Sequence, residues 1–259
     1  MHPALLGLLA IARGGGWTPA QATTDGSVLP EHWYDASVGT WQDSSMTTAA
    51  DQDNDVVGGW EDQAASGDDV SQGTTASKPT LQLNELNDEA VLRFDGTDDF
   101  LQGAFTVGGG LSQPVIVFFV GKLSGAINDD VNYYFFDGDD STNRILVYKN
   151  KSPTPDKLTA YAGILADGTA PDNNWHIFCL SANGASSKLW IDGVVNLSAN
   201  IGNNGVDGIT IGARYSATEC INGDIAEIII YGSNLSDADK NQIGQYLDDK
   251  YGITWSDIS

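Results

Sequence analysis

Asp137, Asp139 and Asp140 crowd three carboxylates into the run DGDDSTN (137–143). Carboxylate oxygens at that density are ligands for hard cations, so the chemistry expected there is Ca²⁺ coordination, with these three residues as the metal ligands. Asp98 and Asp99 form a smaller cluster. Asp51-x-Asp53-x-Asp55 looks like the opening of a calcium loop. Its sixth position is Val56 where such a loop needs glycine, and its twelfth is Asp62 rather than Glu, which argues against an EF-hand. The plainer alternative for each cluster is a solvated turn on a very acidic protein.

Catalytic groups are harder to find. A retaining glycosidase needs two carboxylates about 5–5.5 Å apart. The nearest match is Asp224 and Glu227 in GDIAE. They are three residues apart, so on a strand they point to opposite faces. Glu227 is expected to face solvent and Asp224 to sit in a turn. His2, His32 and His176 have no metal-ligand spacing, and the chain has no G-x-S-x-G. Cys179 lies within an apolar run, a poor place for a reactive thiolate. No catalytic residue is therefore assigned. Sugar binding asks for exposed rings beside polar groups. Of seven tryptophans, Trp41 and Trp255 look free to serve. Tyr215 stands beside Arg214 in the loop GARYSATEC (212–220). Trp41, Arg214 and Tyr215 are the carbohydrate-binding candidates.

Short strands must position these residues. Runs rich in β-branched and aromatic residues recur at 91–94, 115–120, 131–136, 145–149, 158–162, 175–182, 188–192, 209–212 and 225–231. Asp95-Gly96, Asp137-Gly138, Asp192-Gly193 and Asn222-Gly223 punctuate them as turns. Many short strands with such turns imply an all-β fold: a two-sheet antiparallel jelly-roll sandwich. The continuous apolar runs at 115–120 and 225–231 suit strands in the middle of a sheet. One helix is expected, over 236–250 near the C-terminus. Ser236 caps it and Asp239 completes the capping pair. Ile243, Leu247, Tyr246 and Tyr251 share a face, and Gly252 ends it. It should lie across the sandwich with Ile243 and Leu247 buried.

The charge balance excludes whole classes of partner. Thirty-five acidic residues, 29 of them Asp, stand against 12 basic ones, a formal net charge of −23. Duplex nucleic acid and anionic membranes bind through Lys and Arg, so neither is an expected partner. Cys179 and Cys220 are too few for a disulfide framework. Two buried thiols are expected, with a single bridge as the alternative.

The N-terminal 28 residues read apart from the domain that follows at 29–259. ALLGLLAIA (4–12) is apolar, too short to span a bilayer, and preceded by no Lys or Arg as a secretory signal would be. Gly14-Gly15-Gly16 gives it a flexible joint. Leu5, Leu6, Leu8, Leu9 and Ile11 are expected to act as an assembly anchor on another chain, making a homo-oligomer or attaching to a larger assembly. Packing on its own domain is the main alternative, and an unprocessed signal the lesser one. Residues 17–32, rich in Thr, Gln, Gly and Pro, read as a linker or extended arm, and the domain boundary is set at 28/29.

Four stretches resemble the laminin-G-like branch of the concanavalin A-like superfamily, found in many bacterial and phage proteins. They are LPEHWYDAS with VVGGWEDQAASGDD (29–37, 56–69), AVLRFDGTDDFLQ (90–102), DNNWHIFCLSANGASSKLWIDGVV (172–195) and INGDIAEIIIYGSNLSDADKNQIGQYL (221–247). Their order and spacing carry the likeness. It implies the two-sheet sandwich and places Trp60, Trp175 and Trp190 in the core. It also implies that loop carboxylates hold Ca²⁺. Enzymes of the superfamily carry Glu-x-Asp-x-x-Glu on one strand, and the leading Glu is missing here. The resemblance leaves activity open, because lectins, hydrolases, adhesion modules and virion proteins share the fold. The expectation is a non-enzymatic virion structural protein of the capsid-decoration or fibre type. Its sandwich would face outward and bind a host-surface glycan, while its anchor meets other virion subunits. The alternatives are a secreted or cell-surface carbohydrate-binding module and, further off, a glycan hydrolase.

Overall fold

The structure is a computed structural model and describes residues 16–106, 109–152 and 155–259. Two antiparallel sheets face each other, and one helix covers the outside of the first. That sheet runs Val194–Ala199, Ser187–Ile191, His176–Ala182, Val115–Leu123, Asn222–Tyr231, Glu89–Asp95 and Thr80–Leu86, with His32–Asp35 pairing the far half of Asn222–Tyr231. The second sheet runs Leu165–Asp167, Lys157–Tyr161, Leu146–Asn150, Tyr133–Asp137, Gly208–Ile211, Leu101–Ala104, Val70–Ser71, Gly59–Trp60 and Thr40–Trp41.

The continuous apolar run Val115–Leu123 is explained by its position. It lies between His176–Ala182 and Asn222–Tyr231. Val115, Val117 and Phe119 point into the inter-sheet core. Ile116, Phe118 and Val120 alternate with them and pack under the helix. A strand covered on both faces has no polar side, so its sequence cannot alternate. Phe119 stacks on Phe178 with centroids 4.4 Å apart, which joins neighbouring strands inside the core.

The helix spans Asp237–Tyr251. Ser236 Oγ accepts the Asp239 N–H at 3.0 Å, and Gly252 ends the helix in the left-handed region at φ 67°. Ile243, Leu247 and Tyr251 are buried against the first sheet, as their spacing predicts. The outer face of this sheet also holds charge. Asp35 and Glu227 are cross-strand partners, and both accept from Lys250 Nζ, at 2.6 and 2.8 Å. Trp33 Nε1, Tyr246 and Tyr251 also donate to Glu227. Glu227 thus does not face solvent, and Asp224 is not an open turn residue: both are fully buried. Asp224 instead receives Arg93 Nε at 2.8 Å and Lys122 at 3.1 Å. A register shift between Ile225 and Glu227 puts both carboxylates on the same outer face, against the strand expectation, and a helix and long cations cover that face.

Two chain segments lie against the helix layer. Trp17 meets Tyr246 edge-on at 6.0 Å, and Asp25 N–H donates to Asp239 at 3.0 Å, so the arm lies against the helix. Trp255, expected to be free, is buried beside Phe118 at 6.0 Å. Trp60 and Trp190 are buried as the resemblance implies, and Trp175 is half-buried. Cys179 and Cys220 are buried free thiols. The anchor residues Leu5, Leu6, Leu8, Leu9 and Ile11 lie outside the described residues.

Candidate functional site

The outer face of the second sheet carries a row of polar and aromatic side chains. Tyr148 opposes Tyr134 on one neighbouring strand and Thr159 on the other, and Thr159 opposes Asp167. Directly opposed residues share a face. The Tyr134 and Tyr148 rings stack at 4.5 Å, and Leu146 and Tyr161 pack with them. Burial raises both tyrosine hydroxyls, Tyr148 to about 12, and the charges of Glu219 and neighbouring carboxylates add to it. Both rings therefore stay neutral donors at physiological pH.

A loop folds over one end of this row. It follows Gly208–Ile211 and is closed by Arg214 N–H to Thr218 carbonyl at 3.0 Å, while a bridge between Cys220 and Tyr134 holds it to the sheet. Two guanidiniums lie against the Tyr215 ring. Arg144 lies 4.4 Å and Arg214 5.1 Å from its ring centroid, and Arg144 also reaches Tyr161 at 5.5 Å. Each arginine is fixed by a carboxylate. Arg144 Nε and Nη2 grip Asp137 at 2.9 and 2.5 Å. Arg214 meets Glu219 at 3.3 Å, and Glu219 also accepts from Asn132 at 2.6 Å. Burial is the largest influence on Asp137 and raises its carboxyl. Arg144 and the Tyr215 and Gly138 N–H groups oppose it.

Planar donors, ring faces and carboxylate acceptors on one rigid sheet are what recognition of a polyhydroxylated ligand requires. Tyr134 and Tyr148 are buried and support the row from beneath, so a sugar can meet only the half-buried Tyr161 and Tyr215 rings and the guanidinium edges beside them. Arg214 and Tyr215 were legible from the sequence and are brought together. Arg144, Tyr134, Tyr148 and Tyr161 were not singled out there. The signal for the three tyrosines was a tyrosine in each of three consecutive strand candidates, VNYYFF, ILVYK and LTAYA. Trp41 does not join them. Its strand closes the far end of the same sheet, with four strands between it and Tyr133–Asp137.

The expected metal cluster regroups. Asp137 is taken by Arg144, Gly138 and Tyr215, so it is not available to a cation. Asp207 replaces it: ligand atoms of Asp139, Asp140 and Asp207 lie within 4.8 Å of one another. Asp207 comes from the segment before Gly208–Ile211, far along the chain, which is why the sequence cluster missed it. Asp139 Oδ1 and Asp207 Oδ1 are buried with no hydrogen-bond partner. Burial and then Asp207 raise the Asp139 carboxyl. This triad adjoins the tyrosine loop through Gln102, whose Nε2 donates to the Asp139 and Tyr215 carbonyls, both at 3.2 Å. A second triad joins Asp95 to Asp98 and Asp99. Asp55, in the calcium-loop-like run, accepts the Asp51 and Gln52 N–H groups at 3.1 and 3.0 Å as a local turn.

No protein-family model matches the chain, and no curated protein matches it in sequence. Solved structures share its fold. Trypanosoma rangeli sialidase in complex with sialic acid superposes with a TM-score of 0.54 at 9% identity, covering 84% of this chain and 32% of the sialidase. The binding domain of botulinum neurotoxin serotype D gives 0.53 at 15% identity, covering 72% and 48%. The ligand-binding domain of the same toxin, in complex with N-acetylneuraminic acid, gives 0.50 at 16% identity over the same shares. The chain thus spans about a third of the sialidase and about half of the toxin domain. At these identities the likeness is one of fold: an antiparallel β-sandwich.

Proposed function

We propose that this chain is a non-catalytic, laminin-G-like glycan-binding domain displayed on a virion surface, as a decoration or fibre component. The observation that carries glycan binding is Tyr215 set against Arg144 and Arg214 beside the stacked Tyr134–Tyr148 pair. Sialic-acid complexes among the fold neighbours support the same ligand class. The non-catalytic reading rests on the two carboxylates nearest to a glycosidase pair. Asp224 and Glu227 are fully buried and engaged by Arg93, Lys122 and Lys250. The virion reading rests on the apolar run at 4–12 and the sequence resemblance. A secreted adhesion module would use the same platform, and co-purification with intact particles separates the two.

Calcium belongs to the proposal. Asp139, Asp140 and Asp207 would hold it, and the two orphaned carboxylate oxygens fit a cation. Bound there, it would stiffen the loop that carries Tyr215 through Gln102.

A glycan array followed by calorimetry on the best hit tests the platform. Tyr215→Ala should weaken binding about tenfold or more, the usual loss at a central ring contact. Trp41→Ala should leave it unchanged. Equal binding by wild type and Tyr215→Ala would place the site elsewhere.

A further inference from the structure

Beside the edge strand Val194–Ala199 the two sheets part, and a cleft of about 280 Å³ opens into the sandwich. Its floor is core: Phe178 and Ile191 from the first sheet, Phe135 and Leu158 from the second. Val194 and Val195 stand at its mouth, 63% and 51% exposed. The volume would take about nine waters, but an apolar floor offers them few hydrogen-bond partners.

The rim is polar and lopsided in charge. His176 is fixed from both sides, Nδ1 by Asp192 at 2.6 Å and Nε2 by Asp172 at 2.9 Å. One imidazolium thus faces two carboxylates. Lys122, also on the rim, is already matched by Asp224 at 3.1 Å and Glu85 at 3.5 Å. A carboxylate accepts about four donors. Asp172 takes the Asn174 N–H and His176, both on Oδ1, which leaves acceptor capacity free. Its side chain is 52% exposed. The whole molecule carries −23, so an anion is repelled at long range as well as at the rim.

We propose that this cleft is a second binding site, separate from the tyrosine–arginine platform, for a small amphipathic cation. The ligand would be a primary ammonium on a short hydrocarbon or aromatic body. The body lies on Phe135, Leu158, Phe178 and Ile191, and the ammonium donates to Asp172.

Three probes of equal chain length separate the contributions: hexylamine, hexanol and hexanoate, titrated at pH 7 with ligand-detected and methyl chemical-shift NMR. Hexylamine should bind in the millimolar range, about tenfold more tightly than hexanol, as a charge-assisted hydrogen bond implies, with hexanoate weakest. Methyl shifts should centre on Leu158, Ile191, Val194 and Val195. Val195→Trp, a change at an exposed position, should fill the mouth and abolish binding. Asp172→Asn should erase the preference for hexylamine over hexanol while hexanol still binds. Absence of hexylamine binding, equal binding of hexanoate, or methyl shifts centred on Leu146, which packs with the platform tyrosines, would each overturn the proposal. None of these outcomes bears on whether glycan binds the platform.

Discussion

Two titrating residues record what their surroundings do to charge. Burial opposes the charged form of His176, but Asp192 and Asp172 outweigh it and raise its pKa above the ordinary value. A histidine raised in the folded state contributes stability that is complete below its unfolded pKa of about 6.5. That contribution is lost as pH rises through the folded value. His176→Gln should therefore cost most near pH 5.5, and the difference from wild type should shrink toward pH 9, as measured by urea unfolding. Asp99 runs the other way about its own charge. Burial, then Asp95 and Asp98, push its carboxyl up to about 7. The folded state binds that proton more tightly than the unfolded chain, so Asp99 erodes stability as pH climbs from about 4 to about 7. In the presence of a chelator, Asp99→Asn should stabilise the protein at pH 8 and do little at pH 4. No gain at pH 8 would mean that Asp99 carries no uncompensated charge.

The helix and the first sheet meet through two kinds of contact that fail differently. Leu247 is fully buried in an apolar cluster, so Leu247→Ala should cost about 2–5 kcal/mol in chemical denaturation. Lys250 is the shared cation of two buried carboxylates. Lys250→Met leaves Asp35 and Glu227 facing each other without it and should cost about 3–5 kcal/mol. The helix itself was legible in the sequence, because capping, spacing and the terminal glycine all act locally. So were the two long strands, read at 115–120 and 225–231 and found to run Val115–Leu123 and Asn222–Tyr231. Thr40–Trp41, Gly59–Trp60 and Val70–Ser71 were not, since two-residue strands carry no periodicity. Val194–Ala199 was missed because an edge strand need not be apolar on both faces. The same division holds for the site. Arg214 and Tyr215 are chain neighbours and stood out together. Arg144, Tyr148 and Asp207 reach them only through sheet pairing, which no local pattern encodes.

At the scale of the whole molecule, the excess of carboxylates sets the response to ions. Monovalent salt should raise the melting temperature by screening alone. Millimolar Ca²⁺ should raise it further than NaCl at equal ionic strength, because a ligand held by the folded state adds mass-action stability. Asp207→Asn should remove that surplus, and equal effects of the two salts would leave only screening. Deleting residues 1–16 should leave the sandwich folded, judged by circular dichroism, while abolishing assembly or particle attachment. Normal assembly of the truncated chain would reduce that segment to an intramolecular flap.

Trp17 and Trp255 both pack into the helix layer, whereas Tyr215 and its arginines lie beyond the opposite sheet. The sandwich therefore has a back and a front. A support that holds the chain through the residues preceding Trp17 grips it by the back, and every copy then presents its platform in the same outward sense. On an array of such copies, contacts too weak to hold singly act at a high local concentration, and their residence multiplies without any new contact. A shallow platform of rings and arginines need not bind tightly by itself. Its strength would lie in repetition, which the direction of the chain through the three layers makes available.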